Sequence, residues 1–246
     1  MIEQDRRQTL KLLSGWSAAI ILILIAFWFL HEVAHGFGYQ LEGTHVSTGF
    51  NVVGESGKKP SDVDFNTELP VGGMSTGLLL GPFTTWILAI LFTGILLHRS
   101  IPNPTTLAIG AAAVTNALLR LIPLAIFFIA ASTGNISGVF QDEQEMSLGT
   151  IEGVTLPISS AELSQLLETQ PDMFLGDPGF YFWPVVSLGI SLVCIALAYR
   201  HLFRLFGSRM QSRVSKLVFG LAPFILFFIP VFGVVSLLDN IIRINW

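Results

Sequence analysis

The chain has 246 residues, 52% of them hydrophobic and 12% charged, with a mean hydropathy of +0.67. Soluble domains carry about twice that share of charge, so the composition excludes an ordinary water-soluble domain, and a net charge of −4 has the wrong sign for a nucleic-acid binder, so no nucleic-acid partner is expected. The single cysteine, Cys194, cannot form an internal disulfide and is silent on redox compartment.

A helix that crosses about 30 Å of hydrocarbon needs roughly 20 apolar residues. Five segments meet that requirement, at residues 12–38, 74–98, 105–131, 181–202 and 216–240. The expected fold class is all-α: one polytopic membrane helix bundle over residues 1–246, with about five transmembrane helices and a small β-rich loop after the first. The lipid bilayer is therefore an expected partner, and a multi-pass integral membrane protein the expected localisation.

Taken in chain order, a basic tail with Arg6, Arg7 and Lys11 precedes the uncharged run Leu12 to Leu30. That start resembles a signal peptide, but the apolar run continues straight into a motif and no small-residue cleavage site is evident, so a retained helix is expected. The loop Tyr39 to Gly73 contains 45-HVSTGFNVVG-54, readable as strand and turn. The second segment carries Gly77-x-x-x-Gly81, a small-residue helix contact. The third carries Asn116 and Arg120 within an otherwise apolar run. The loop Ser132 to Phe180 has no Lys or Arg; it includes the acidic stretch 141-QDEQE-145, the sequon pattern Asn135-Ile136-Ser137, and Ser159-Ser160-Ala161-Glu162, which reads as a capping box opening a short helix. The Phe-rich stretches 126-IFFIA-130 and 224-FILFF-228 read as core or lipid-facing surface. Nine Lys and Arg flank the segments on the side of the N-terminus, against Lys58, Lys59 and Arg243 on the other. That bias predicts a cytosolic N-terminus.

The chemistry lies in 31-HEVAH-35. On a helix, positions i and i+4 share a face, so His31 and His35 can grip one metal ion, with Glu32 beside them as general base. Zinc is the expected cofactor, because two imidazoles and a carboxylate with one open position suit it. The plain alternative is an interfacial polar cluster that merely ends the helix. Ionisable residues at the end of a 19-residue apolar run are costly in lipid, which favours function. Gly36 and Gly38 fit a helix that stops just after the second His. Leu41 stands where secreted enzymes of the metzincin type would carry a third His.

HExxH at a transmembrane helix end, a β-rich loop and then 77-GLLLGPFTT-85 with Gly81-Pro82 together resemble the site-2 protease family of intramembrane zinc metalloproteases. The resemblance covers roughly the first 145 residues. It implies a zinc-dependent metalloendopeptidase that cleaves membrane-spanning protein substrates. Asn116, in 115-TNALLRLIPL-124, can stand for that family's Asn. Pro123 comes late, however, and the Asp-Gly that supplies the third ligand in the family does not follow. The third ligand is therefore open between Asp142, Glu143, Asp239 and His45, with Asp142 the best placed if the chain folds back after the third helix. Bacterial members of the family place the zinc toward the cytosol, whereas the charge bias here places it on the opposite side.

Asn116 and Arg120, one turn apart, are read as substrate-binding: Asn116 orienting substrate backbone, Arg120 stabilising developing negative charge. The competing reading makes Arg120 an ion-pair strut to Glu32, Asp142 or Asp239. The rival functions are a metal transporter or metal-binding protein, an inactive scaffold of the same family, and a hydrolase of lipid amides or esters. A transporter would need polar residues strung along several helices, and the fourth and fifth segments offer few.

Overall fold

The computed structural model describes residues 2–50, 53–55, 75–134, 136, 142–158, 160–210, 212–228, 237–238 and 241–246. The protein is all-α with one small antiparallel sheet. Its helices are α1 (Ile2–Leu41), α2 (Thr76–Leu97), α3 (Pro104–Ser132), α4 (Asp142–Ser147), α5 (Ser160–Thr169), α6 (Pro171–Leu175), α7 (Phe182–Phe206) and α8 (Arg213–Leu226). Its strands are β1 (Val46–Thr48), β2 (Val53–Glu55) and β3 (Ile244–Asn245), in the order β2-β1-β3.

Among the described residues, four helices are long and apolar enough to cross a membrane: Arg6–Leu41, Thr76–Leu97, Pro104–Ser132 and Pro178–Arg209. They correspond to the first four expected segments and fit a multi-pass membrane protein. In the fifth, α8 covers 14 residues, short of the roughly 20 that a span needs; residues 229–236 and 239–240 of that segment lie outside the described residues.

Helix ends follow local chemistry. Asn103 caps α3 by accepting from Thr106 N at 2.8 Å, with Pro104 at the first helical position. Ser75 accepts from Leu78 N at 3.1 Å at the start of α2, where Glu42 also accepts from Thr76 N. Ser212 accepts from Ser215 N at 3.0 Å and caps α8. The first helix runs on past Gly36 and Gly38, where a stop was expected. It ends at Leu41 in a Schellman motif, with Thr44 N donating to Tyr39 O and Gly43 N to Gln40 O. Gly43 takes the φ of +81° that this motif requires and that L side chains avoid.

The chain divides into two compact units. One comprises residues 1–28, 85–119 and 190–235. Its core is the α1 stripe Leu12, Trp16, Ile20 and Leu24, all buried and spaced one turn apart. Trp16 stacks on Phe219 at 4.6 Å and donates Nε1–H to Phe219 O at 2.9 Å. Tyr199 donates to Gly220 O at 2.7 Å, and Gly110 admits the side chain of Leu202.

The other unit comprises residues 29–84, 120–189 and 236–246. Here the described residues after α3 form a helical subdomain, not simply an acidic loop. Phe127, Ile136, Leu148, Ile151, Ile158, Leu163, Leu167, Phe174 and Phe180 form its core. The short helix α5 stands where a capping box was expected, but Ser159 is outside the described residues, as are Asn135 and Ser137 of the sequon. The strand-and-turn reading of 45–54 corresponds to β1 paired with β2 in register Val46↔Glu55. On the other edge, β3 pairs Ser47↔Asn245; Trp246 N donates to Val46 O at 3.0 Å and its indole to Thr48 Oγ1 at 2.8 Å.

Candidate metal centre

On α1, the apolar run ends at Leu30 and polar residues follow directly. His31 and His35 are both buried, and Glu32 is half-buried. Two glycines of α2 make room for this face. A Cβ at Gly81 would collide with the His35 imidazole, and one at Gly77 with the Tyr39 ring. The Gly77-x-x-x-Gly81 contact therefore seats α2 on the turn of α1 that carries the second histidine. The Gly77 carbonyl lies 2.7 Å from His35 Nδ1, and a neutral imidazole that donates Nδ1–H to it would keep its Nε2 lone pair for an ion. On the far side, a Cβ at Gly36 would meet Thr48 and the Trp246 indole. Gly36 and Gly38 are thus close-approach positions within the helix: Gly38 lies against the backbone of Thr76 and Gly77.

Asp142, the first residue of α4, completes the cluster. Its Oδ2 lies 3.3 Å from His31 Nε2 and 3.6 Å from His35 Nε2, and the two Nε2 atoms are 3.2 Å apart. Among the described residues, His31, His35 and Asp142 form a group able to hold a metal ion. Ligand atoms on a tetrahedral ion with bonds of about 2.0 Å sit about 3.3 Å from one another. The donor set, its spacing and the orienting bond on His35 all suit zinc. His31 Nδ1 is buried without a protein partner, so the first imidazole lacks the second bond that the other has.

Arg120 binds the same carboxylate oxygen, with Nη1 at 2.6 Å from Asp142 Oδ2 and 3.6 Å from Glu143 Oε1. Ser187, near the start of α7, donates to Glu143 Oε1 at 2.8 Å. A relay therefore runs from Ser187 through Glu143 and Arg120 to Asp142. Burial alone would raise the Asp142 carboxyl. The Arg120 guanidinium, the His35 charge and the imidazole bonds outweigh burial and hold it well below the usual carboxylate range. Glu143, wholly buried, is raised by that burial with Asp142 adding to the shift, against opposition from Arg120; its Oε2 is buried without a hydrogen-bond partner. Glu145 is pushed up to about 8 by burial and by Asp142.

Of the expected site residues, His31, His35, Asp142 and Arg120 come together, while Glu143 joins through Arg120 and not through the imidazoles. Arg120 is seen in its strut arrangement. Asn116 falls in the other compact unit, where its amide donates to Ala112 O at 2.8 Å, one turn back in its own helix. His45 is exposed just ahead of β1, and Asp239 lies outside the described residues. Ser187 and the glycine seat under His35 were not expected. A lone Ser in an apolar run gives no signal, whereas the glycine pair did give one, read only as packing. Compared with family models, with curated proteins and with solved structures, the chain matches none.

Proposed function

We propose that this protein is an intramembrane zinc metalloendopeptidase of the site-2 protease type, acting on peptide bonds of membrane-spanning proteins. The observation that supports this reading is the convergence of three ligand atoms, from His31, His35 and Asp142, at the mutual spacing a tetrahedral ion requires. Zinc, when bound there, supplies Lewis acidity that brings the pKa of water down to about 7. Glu32, adjacent to the first ligand, is the general base that takes a proton from the attacking water and returns it to the leaving amine. Water is the nucleophile, so no covalent enzyme adduct forms. Arg120 holds Asp142 in place.

Substrates are single-span proteins whose helix has partly unwound, because a helical peptide bond is shielded. The loop Tyr39 to Gly73 holds such a segment by strand addition. The charge bias of the flanking Lys and Arg puts the N-terminus in the cytosol and the zinc site toward the other face.

One observation favours a second reading. Arg120 already neutralises Asp142 at 2.6 Å, so the cluster also makes sense as a metal-free ion-pair strut in an inactive scaffold. Metal content by mass spectrometry, wild type beside His35→Ala, separates the two. About one zinc per chain, lost in the variant, supports the enzyme. A folded wild-type protein that holds no metal, never exposed to chelator, supports the strut.

A further inference from the structure

A second feature lies in the other compact unit. A cavity of about 620 Å³ opens between the N-terminal turns of α1, the start of α3 and the turn Gly207–Arg209 that follows α7. Its walls are apolar, from Leu12 and Gly15 of α1, Leu107 of α3 and Phe206 of α7. Its polar edge carries two cations, Lys11 and Arg209, and none of its described lining residues is acidic. The edge is built rather than incidental. Arg209 donates to Pro102 O at 2.9 Å, lies over the Phe206 ring at 5.7 Å, and its carbonyl accepts from Thr9 Oγ1 at 2.8 Å. These bonds tie the turn to α1 and to the connection before α3, and so fix a guanidinium at the mouth.

We infer that this cavity binds an anionic phospholipid, with Lys11 and Arg209 holding the headgroup phosphate and an acyl chain running along Leu12, Gly15, Leu107 and Phe206. Two observations select that occupant. Apolar walls under a cationic edge match the amphiphile's own division into chain and anion. The cavity also lies at the helix ends where the chain concentrates its Lys and Arg, nine of them by sequence, the pattern that attracts anionic leaflet lipids. A soluble anion would satisfy the two cations but not the apolar walls. A zwitterionic lipid would fill the walls but carries its own ammonium to the cations. Gly15 matters here because a Cβ at that position would only just reach Leu107, so a larger side chain fills the cavity without disturbing the charges.

The experiment is native mass spectrometry of the full chain in neutral detergent, offered phosphatidylglycerol or phosphatidylcholine. Wild type should retain phosphatidylglycerol preferentially. Lys11→Gln with Arg209→Gln should lower that retention ~10-fold and leave phosphatidylcholine unchanged, and Gly15→Leu should lower both. Because Arg209 also ties down its turn, Lys11→Gln alone, at an exposed position, is measured beside the pair and should give part of the loss. Equal retention of the two lipids by wild type, or wild-type retention by Lys11→Gln and by the pair, would overturn the assignment. So would full displacement of the lipid by millimolar inorganic phosphate, which would make the site one for a free anion. His35→Ala should leave lipid retention unchanged, so the result stands apart from the zinc reading.

Discussion

Arg120 Nη1 donates to Asp142 Oδ2 at 2.6 Å, and that same oxygen faces both imidazoles of the candidate metal centre. The guanidinium is buried in α3, so the carboxylate that would bind an ion is held by a residue of another helix. Arg120→Gln should lower zinc affinity about 10–100-fold, the usual effect of losing an outer-sphere partner, and should destabilise the fold by about 1.5–3 kcal/mol, the worth of a hydrogen bond between charged groups. Chelator competition and thermal unfolding read the two effects separately. Zinc affinity that rises in this variant would mean that the arginine stands in for the metal, as the strut reading has it.

Glu32→Gln separates chemistry from binding. The amide keeps the shape of the side chain but cannot accept the proton. Cleavage of a single-span reporter in proteoliposomes should fall by a factor of about 10²–10⁴, with zinc content at the wild-type level. Unchanged cleavage would remove Glu32 from the role of base.

Gly81 and Gly77 make a matched pair. Alanine at Gly81 pushes on the His35 ring, and alanine at Gly77 on the Tyr39 ring. Both should cost about 1–3 kcal/mol of stability by overpacking, measured as a lower unfolding midpoint in detergent. Only Gly81→Ala should also reduce zinc content, since it displaces a ligand. Equal zinc loss in both variants would point to general disruption of α2 against α1.

Glu145 gives a pH dependence with a definite sign. Its carboxyl is pushed up to about 8 in the folded protein from an ordinary 4.5, by burial and by Asp142. Across that window the folded chain holds a proton that the unfolded chain has released. The corresponding stability is present in full below 4.5 and is lost as pH rises toward 8. Glu143, shifted the same way, adds to the fall. In metal-free protein the unfolding midpoint should drop between pH 5 and pH 8, and Glu145→Gln should drop less because its amide does not titrate. An equally steep drop in that variant would assign the effect elsewhere.

Much of this protein is determined by local rules that a sequence carries openly. Apolar runs of sufficient length demand helices, because a backbone in lipid must satisfy itself, and four of them stand among the described residues. The spacing of His31 and His35 puts both imidazoles on one helical face whatever surrounds them. The run 45–54 reads as a strand and turn, and β1 falls within it. The first helix shows where local rules mislead: Gly36 and Gly38 read as a stop, yet their missing side chains serve close packing, and the stop falls at Gly43, where a positive φ is required.

Among the described residues, only tertiary structure could bring Asp142, rather than Glu143 or His45, nearest the histidine pair. From Arg120 the helix α3 climbs 12 residues, or about 18 Å, before the chain turns back. Whether Asp142 returns to the level of Arg120 depends on the subdomain that packs Ile136, Leu148 and Phe174 around Phe127. That packing sums many weak, long-range contacts, none written at position 142. The same holds for Ser187 under Glu143 and for β3 beside β1: each is distant in sequence from its partner, and only the folded chain brings them into register.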